Sequence, residues 1–212
     1  MTHTQPIGFL ALPAAGNSRA VLVLHAWWGL NDNLKAYCSR LAEAGFIAFA
    51  PDLYNGQVTD IIAGAEALSN ALDPQQAGAQ VAAAVNFLNE RFGPLEGGLA
   101  VVGFSLGAYF ALQLSTMDAE NIRSVVVYYG TVPGDYSQSR AAYLGHFAEQ
   151  DPFEPLTEVE RLENALQAAG RPVSFHIYPG TGHWFAEPDR PDAFNAEAAR
   201  LAWERTLAFL GR

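Results

Sequence analysis

The sequence predicts a doubly wound α/β fold, in which a mostly parallel central sheet carries helices on both faces. Two observations support this prediction: apolar runs of strand length alternate with helical patterns along the chain, and the runs themselves are continuous. A continuous apolar run is typical of a strand that is buried on both faces of its sheet. The runs are Ala20–Leu24, Phe46–Ala50, Leu99–Val102, Val125–Tyr129 and Val173–Tyr178.

Apolar side chains at helical spacing follow these runs. The first helix ends where Gly45 supplies a C-terminal cap, and the second begins at 73–74, where an N-capping aspartate precedes a proline. A third helix runs from about Pro155 to Gly170, and the last begins near Asp192. The apolar stripes of the four helices are Leu34, Tyr37, Cys38, Leu41 and Ala42; Val81, Val85, Leu88 and Phe92; Val159, Leu162, Leu166 and Ala169; and Phe194, Ala198 and Leu201.

Length and composition predict one globular domain, which we expect to span residues 1–212. The chain has 212 residues, of which 50% are hydrophobic and 16% are charged, so it can bury a large core. Its 12 Lys and Arg against 22 Asp and Glu give a net charge of −10, which disfavours nucleic acids and anionic membranes as partners. The charge gives no indication of the oligomeric state.

The cysteine content and the N-terminal region exclude other classes. The single cysteine, Cys38, excludes an internal disulfide and a multi-thiolate metal cluster within one chain. The N-terminal residues lack the charged start and the apolar stretch of a signal peptide, and no apolar run approaches the ~20 residues that span a bilayer. We therefore expect a cytoplasmic protein that needs no metal and no organic cofactor.

The motif Gly-Phe-Ser-Leu-Gly at 103–107 lies between the predicted strand Leu99–Val102 and a helical stretch, Ala108–Leu114. In this context G-x-S-x-G is typical of a nucleophile elbow, a tight turn from a strand into a helix. Residues two positions away crowd the serine in such a turn, and glycines leave room for it. The turn aims the hydroxyl at the N-terminus of the next helix, whose N–H groups stabilise an anion. We therefore predict that Ser105 is a nucleophile; the alternative is a glycine-rich turn without chemistry.

A serine hydroxyl needs a general base within hydrogen-bond reach. Of the five histidines, the sequence favours His183, which follows the last predicted strand in the turn at 179–183. Histidines inside strand-like runs are expected to point into a packed layer rather than into a cleft. The other four fall at the N-terminus, at the end of an early strand, or inside such runs: His3, His25, His146 and His176.

The base in turn needs an acid that orients its ring and stabilises the imidazolium. In nucleophile-elbow folds the acid lies between the serine and the histidine in the chain, at the end of a strand. Asp151, which follows the strand-like stretch Ala141–Phe147, fits best. Glu149 and Asp135 are the alternatives.

Two backbone N–H groups are predicted to form an oxyanion hole. The first belongs to Leu106, directly after the serine. The second belongs to Trp27, in the segment HAWWG at 25–29 that follows the first predicted strand. Neither side chain takes part.

At these positions the chain resembles the dienelactone hydrolase family of the α/β-hydrolase fold, and the resemblance covers nearly the whole chain. It implies hydrolysis of a small ester or lactone through an acyl-enzyme, with Ser105, Asp151 and His183 as the triad. The similar segments are LHAWWGLN at 24–31, APDLY at 50–54, GHFAEQD at 145–151 and YPGTGHWFA at 178–186.

Three positions depart from the family pattern. Members that act on dienelactone typically have cysteine in place of Ser105 and glutamate in place of Ala26, so the paired change suggests ordinary serine-hydrolase chemistry. The family is expected to bind a substrate carboxylate with arginine, where this chain has Glu187, and no Lys or Arg occurs between Arg40 and Arg91. We therefore expect a neutral ester or lactone as substrate.

Large aromatic side chains are the candidates for the walls of the substrate pocket, although each could equally belong to the core. A thioesterase or deacetylase with the same triad, and a non-catalytic binding protein on this fold, are the alternative functions. The candidate wall residues are Trp27, Trp28, Tyr54, Tyr109 and Trp184.

Overall fold

A computed structural model describes residues 4–14, 19–93, 95 and 97–211, so His3 lies outside the described residues. Within these ranges, strands and helices alternate along most of the chain. The strands are β1 (Gly8–Ala11), β2 (Ala20–Leu24), β3 (Ile47–Pro51), β4 (Leu99–Phe104), β5 (Ile122–Tyr128), β6 (Ala142–Ala148) and β7 (Val173–Tyr178). The helices are α1 (Asp32–Glu43), α2 (Ile62–Ala71), α3 (Pro74–Phe92), α4 (Leu106–Met117), α5 (Leu156–Ala168) and α6 (Ala196–Leu210).

The strands of the described residues form one sheet in the order β1-β3-β2-β4-β5-β6-β7. Strand β1 is antiparallel to β3, whereas β2 with β3, β5 with β6 and β6 with β7 are parallel pairs. The predicted α/β class with a mostly parallel sheet is therefore confirmed. Because parallel strands end at the same edge of a sheet, the loops after β5, β6 and β7 lie at one edge.

The chain divides into two compact units between Val101 and Val102, within β4. The prediction of a single domain over residues 1–212 stays a prediction. None of the helices in the described ranges has the length and apolar character that crossing a membrane requires.

Two predicted capping residues, Gly45 and Asp73, lie at helix ends in the N-terminal unit, and Asn31 caps a further helix start. The side chain of Asn31 accepts a hydrogen bond from the N–H of Leu34 at 3.0 Å at the start of α1, and Gly45 adopts a φ of 97° just beyond its end. Asp73 caps α3 by accepting the N–H of Gln75 at 2.9 Å, and a proline occupies the first helical position. The two helix ends at Gly45 and Asp73 were thus readable from their capping residues.

Cys38 lies on the buried face of α1 and is fully enclosed. Burial raises the pKa of its thiol to about 12. The side chain therefore packs as a small apolar group, and its thiol stays protonated at neutral pH.

In the C-terminal unit, a buried polar network joins α6 to three strands. The hydroxyl of Thr206 is hydrogen-bonded to Tyr128 at 2.9 Å and to Nε2 of His146 at 3.0 Å, and Nδ1 of His146 lies 2.9 Å from the hydroxyl of Tyr178. Burial lowers the pKa of His146 well below the usual value, so its ring is neutral. His146 is therefore a satisfied core histidine, as its position inside a strand predicted.

Two elements were missed by the sequence patterns, and one begins later than predicted. Strand β1 is a half-buried edge strand of four residues, and α2 buries only Ala65. The last helix begins at Ala196 rather than near Asp192, because Asn195 is its N-cap and accepts the N–H of Ala198 at 3.0 Å. Phe194 therefore belongs to the preceding turn.

Strand β7 also differs from expectation, because three of its residues are half-buried, two are exposed and one is buried. His176 was expected to point into a packed layer, but it is half-exposed, and its ring stacks on that of His146 with the centroids 6.1 Å apart. Strand β7 stands last in the sheet order, and a strand at the edge of a sheet has a neighbour on one side only.

Candidate active site

Ser105 occupies a strained turn between β4 and α4. Its φ of 49° and ψ of −110° lie outside the regions that most side chains adopt, and its N–H donates to the carbonyl of Tyr128 at 2.9 Å. A Cβ at position 103 would lie 2.3 Å from the carbonyl oxygen of Gly107. The glycine at 103 therefore permits the close approach of the strand and the helix that the elbow requires.

The side chains of Ser105, His183 and Asp151 form one hydrogen-bonded chain within the C-terminal unit. Oγ of Ser105 lies 3.0 Å from Nε2 of His183, and Nδ1 of His183 lies 2.7 Å from Oδ2 of Asp151. The side chains of the histidine and the aspartate are 4% and 1% exposed. With an ionised Asp151 as acceptor, Nδ1 carries the proton and Nε2 is free to accept one from the serine hydroxyl.

Asp151 is held in place by the backbone that follows it. Its Oδ1 accepts the N–H groups of Phe153 at 2.9 Å and of Glu154 at 3.0 Å, so one oxygen is fixed by the loop and the other faces His183. This arrangement orients the carboxylate before any substrate binds.

The two alternative acids have other partners. Glu149 accepts the N–H of Gly180 at 2.9 Å and so ties down the loop that carries the histidine. Asp135 accepts both the N–H and the hydroxyl of Ser137, and these hydrogen bonds lower the pKa of its carboxyl group. The carboxylate that contacts His183 is thus that of Asp151.

Aromatic rings surround His183. The ring centroids of Tyr129, Phe153 and Trp184 lie 4.8, 5.0 and 5.1 Å from that of the histidine. The sequence pointed to Trp184 but missed Tyr129 and Phe153. Phe153 is 51% exposed. It could have been predicted as a wall residue from its position two residues after the predicted acid.

The other candidate wall residues lie in different settings. Tyr109 is 39% exposed and its hydroxyl accepts a hydrogen bond from Gln113 at 2.8 Å. Trp28 and Tyr54 belong to the N-terminal unit and are 1% and 4% exposed. Their roles as pocket walls, and that of the Trp27 N–H in the oxyanion hole, stay predictions.

Glu187 differs from the expectation that it presents a negative charge to the substrate. It is only 4% exposed, and its Oε1 accepts the hydroxyl of Tyr129 at 2.7 Å. Burial raises the pKa of its carboxyl group to about 8; the hydrogen bond from Tyr129 and the charge of Arg190 oppose this rise, and the charge of Asp189 adds to it. At neutral pH the carboxyl group is therefore mostly protonated and does not repel a substrate carboxylate as a full negative charge would.

Comparison with known proteins identifies the family. The model of the dienelactone hydrolase family matches residues 7–212. Protein usf of Aquifex pyrophilus is 30% identical over 95% of this chain and 91% of its own length. A Bradyrhizobium protein named "Probable 2-oxo-3-(5-oxofuran-2-ylidene)propanoate lactonase" is 30% identical over 96% of this chain and 88% of its own.

A solved structure shares the fold. The crystal structure of a dienelactone hydrolase-like promiscuous phosphotriesterase from metagenomic libraries superposes with a TM-score of 0.82, covering 93% of this chain and 87% of the other. At 20% identity, this likeness shows the α/β-hydrolase fold alone. The family match over residues 7–212 and the relatives at 30% identity establish that the chain belongs to the dienelactone hydrolase family and is a hydrolase of ester or lactone bonds.

Proposed function

We propose that the chain is a serine hydrolase of carboxylic esters or lactones, with Ser105 as nucleophile, His183 as general base and Asp151 as the acid that orients it. Oγ of Ser105 attacks the carbonyl carbon of the substrate while its proton passes to Nε2 of His183. The imidazolium then protonates the leaving alkoxide oxygen, and the acyl group remains on the serine. A water molecule that gives its proton to His183 attacks the acyl-enzyme, and the acid is released as the serine regains its proton.

The hydrogen-bonded chain of serine, histidine and aspartate is the observation that carries this proposal. Its distances of 3.0 and 2.7 Å are within hydrogen-bond range and need no rearrangement before the proton transfer. The elbow contributes the N-terminal end of α4, because the N–H of Leu106 lies in the first turn, where N–H groups have no partner within the helix. The second oxyanion donor in this proposal is the N–H of Trp27, which is supported by its position in the chain after β2.

The second part of the proposal is that the substrate is neutral. Glu154, rather than the buried Glu187, now supports this part. Glu154 follows Asp151 closely, is half-buried and accepts the hydroxyl of Thr131 at 2.6 Å. Thr131 directly follows Gly130, where an added Cβ would lie 2.9 Å from the carbonyl oxygen of Ser105. The charge of Asp151 acts on the carboxyl group of Glu154, so this group lies near the acid of the triad, where we expect its charge to repel an anionic substrate.

Replacement of the nucleophile tests the reaction. With p-nitrophenyl butyrate, Ser105→Ala is expected to lower kcat by at least about 10⁴-fold, because the attacking oxygen is lost. A fluorophosphonate probe should label the parent and leave this variant unlabelled, which separates an enzyme from a binding protein on the same fold. Ser137→Ala, which changes an exposed serine, is the matched control and should keep the parent rate. Equal rates for Ser105→Ala and the parent would contradict the proposal.

Replacement of the acid tests its orienting role. Asp151→Asn is expected to lower kcat by about 10³- to 10⁴-fold, because an amide N–H facing Nδ1 selects the tautomer in which Nε2 can no longer accept a proton. Glu149→Gln serves as the control, since that side chain contacts Gly180 and not the histidine. A larger loss of kcat for Glu149→Gln than for Asp151→Asn would show that Asp151 is not the acid of the triad.

The charge of Glu154 predicts a pH-dependent preference for neutral substrates. Burial raises the pKa of its carboxyl group to about 7, so the group is mostly neutral at pH 6 and mostly ionised at pH 8. The ratio of kcat/KM for p-nitrophenyl hemisuccinate to that for p-nitrophenyl butyrate should fall about 3- to 10-fold between these pH values. Effects on the triad cancel in this ratio. Glu154→Gln should give a ratio that is higher at pH 8 and changes less between these pH values, the remaining change being due to Glu187, whose pKa is about 8; a parent ratio that does not change would refute the role of Glu154.

Glu187 predicts how stability depends on pH. Its pKa is about 8 in the folded protein against 4.5 as the ordinary value, so the folded state binds the proton more tightly. The free energy of unfolding should therefore fall as the pH rises from about 4.5 to 8, by about 2–5 kcal/mol from this group. Urea unfolding at pH 5, 7 and 9 measures this fall. Glu187→Gln, which keeps an acceptor for Tyr129, should remove most of it, and an identical pH profile for the variant would show that the group ionises freely.

A further inference from the structure

His25 connects the loop after β2 with the loop after β3. Its ring is fully buried, Nε2 accepts the backbone N–H of Leu53 at 3.2 Å, and Nδ1 lies 2.6 Å from the carbonyl oxygen of Ala26. A backbone N–H can only donate, so Nε2 must be unprotonated and Nδ1 must carry the proton. Both contacts are satisfied at once only by the neutral ring with the proton on Nδ1. Burial also lowers the pKa of this histidine, in keeping with a neutral ring.

The carbonyl group that His25 binds belongs to the same peptide unit as the N–H of Trp27. A trans peptide is planar, and its C=O and N–H point in opposite directions. A hydrogen bond that fixes the carbonyl of Ala26 therefore also fixes the direction of the Trp27 N–H. The same oxygen accepts the N–H of Gly29 at 3.2 Å, so the peptide is held from two sides.

The loop after β3 supports this arrangement. Asp52 closes a turn by accepting the N–H groups of Tyr54 at 3.0 Å and Gly56 at 2.5 Å, which fixes the backbone that carries Leu53. The N–H of Thr59 donates to the carbonyl of Trp28 at 3.1 Å, which gives a second link between the two loops. The segment APDLY at 50–54 takes no part in the hydrogen-bonded chain of the triad. Its contacts instead stabilise the loop after β2, which carries His25 and Trp27.

We propose that His25 is a positioning residue that orients the N–H of Trp27 for the oxyanion. This inference rests on the proposed function, in which that N–H is the second oxyanion donor. His25 does not touch the substrate; it acts through the peptide between Ala26 and Trp27. Loss of its bond to Ala26 should therefore weaken the stabilisation of the transition state more than the binding of the substrate.

Two substitutions of His25 separate its two hydrogen bonds. In His25→Asn the amide nitrogen can take the place of Nδ1 and donate to Ala26, whereas in His25→Gln the amide oxygen can take the place of Nε2 and accept from Leu53. We expect His25→Gln to lower kcat for p-nitrophenyl butyrate by about 10²-fold, as for the loss of one oxyanion donor, with little change in KM. His25→Asn should retain most of the parent kcat. His176→Gln, a half-exposed histidine of β7, is the control and should not alter kcat.

Stability and the tautomer of His25 supply readouts that do not depend on activity. Urea unfolding of each variant shows whether a loss of kcat is caused by a loss of stability. The proposal would be overturned if the two His25 variants had equal kcat values, or if their losses of kcat only followed their losses of stability. Long-range proton–nitrogen NMR spectra of the parent, labelled at histidine nitrogen, should show His25 neutral with its proton on Nδ1 at pH 7. A proton on Nε2 or a charged ring would also overturn it.

Ser105→Ala separates failure of this inference from failure of the proposed function. If that variant remains as active as the parent, the serine mechanism is wrong and the role of His25 falls with it. If Ser105→Ala is inactive while His25→Gln keeps the parent kcat, the mechanism stands and only the positioning role is wrong.

Discussion

The hydrogen bond between Nδ1 of His183 and Oδ2 of Asp151 is the constraint on which the proposed chemistry depends. It is 2.7 Å long and nearly excluded from solvent, so it fixes both the rotation of the imidazole and the position of its proton. A serine in a strained elbow is of little use without a base that faces it. The two loops that bring the histidine and the aspartate together follow β7 and β6, and the parallel pairing of these strands places the loops at one edge of the sheet.

Buried acids give this site an unusual charge balance. Glu187 accepts a hydrogen bond from the hydroxyl of Tyr129, whose ring packs against that of His183. Glu154 lies close enough to Asp151 for the two charges to interact. Burial raises the pKa of both carboxyl groups, so neither need carry a full charge at neutral pH. The aspartate that faces the histidine instead accepts two backbone N–H groups. The three acids near this histidine thus differ in their hydrogen-bond partners and in their burial.

Much of the fold and of the candidate site could be predicted from local patterns. Apolar runs located six of the seven strands of the described residues, and caps such as Asp73 located helix ends. Ser105 and His183 could be identified from the sequence because each lies in a glycine-containing turn directly after a strand. Strand β1 was missed because a run of four residues is too short for periodicity to identify a strand, and the start of α6 was placed near Asp192 because the cap at Asn195 was not recognised.

The protonation state of Glu187 could not be predicted in the same way. Its sequence position suggested a charge beside the substrate, whereas its environment depends on Tyr129, which lies far away in the chain. The same holds for His25, since its partner Leu53 is distant in sequence and no periodicity marks the contact. Local patterns locate residues on elements, but tertiary contacts decide whether a polar group is solvated, bonded or buried.

Cys38 has a practical consequence for the study of this enzyme. The chain has one cysteine, and its thiol is enclosed with a pKa of about 12, so it offers almost no thiolate to an alkylating or maleimide reagent while the protein is folded. A cysteine introduced at a surface position would therefore react alone. Fluorophores or spin labels can accordingly be attached to chosen loops of the native chain without first removing its own sulfur.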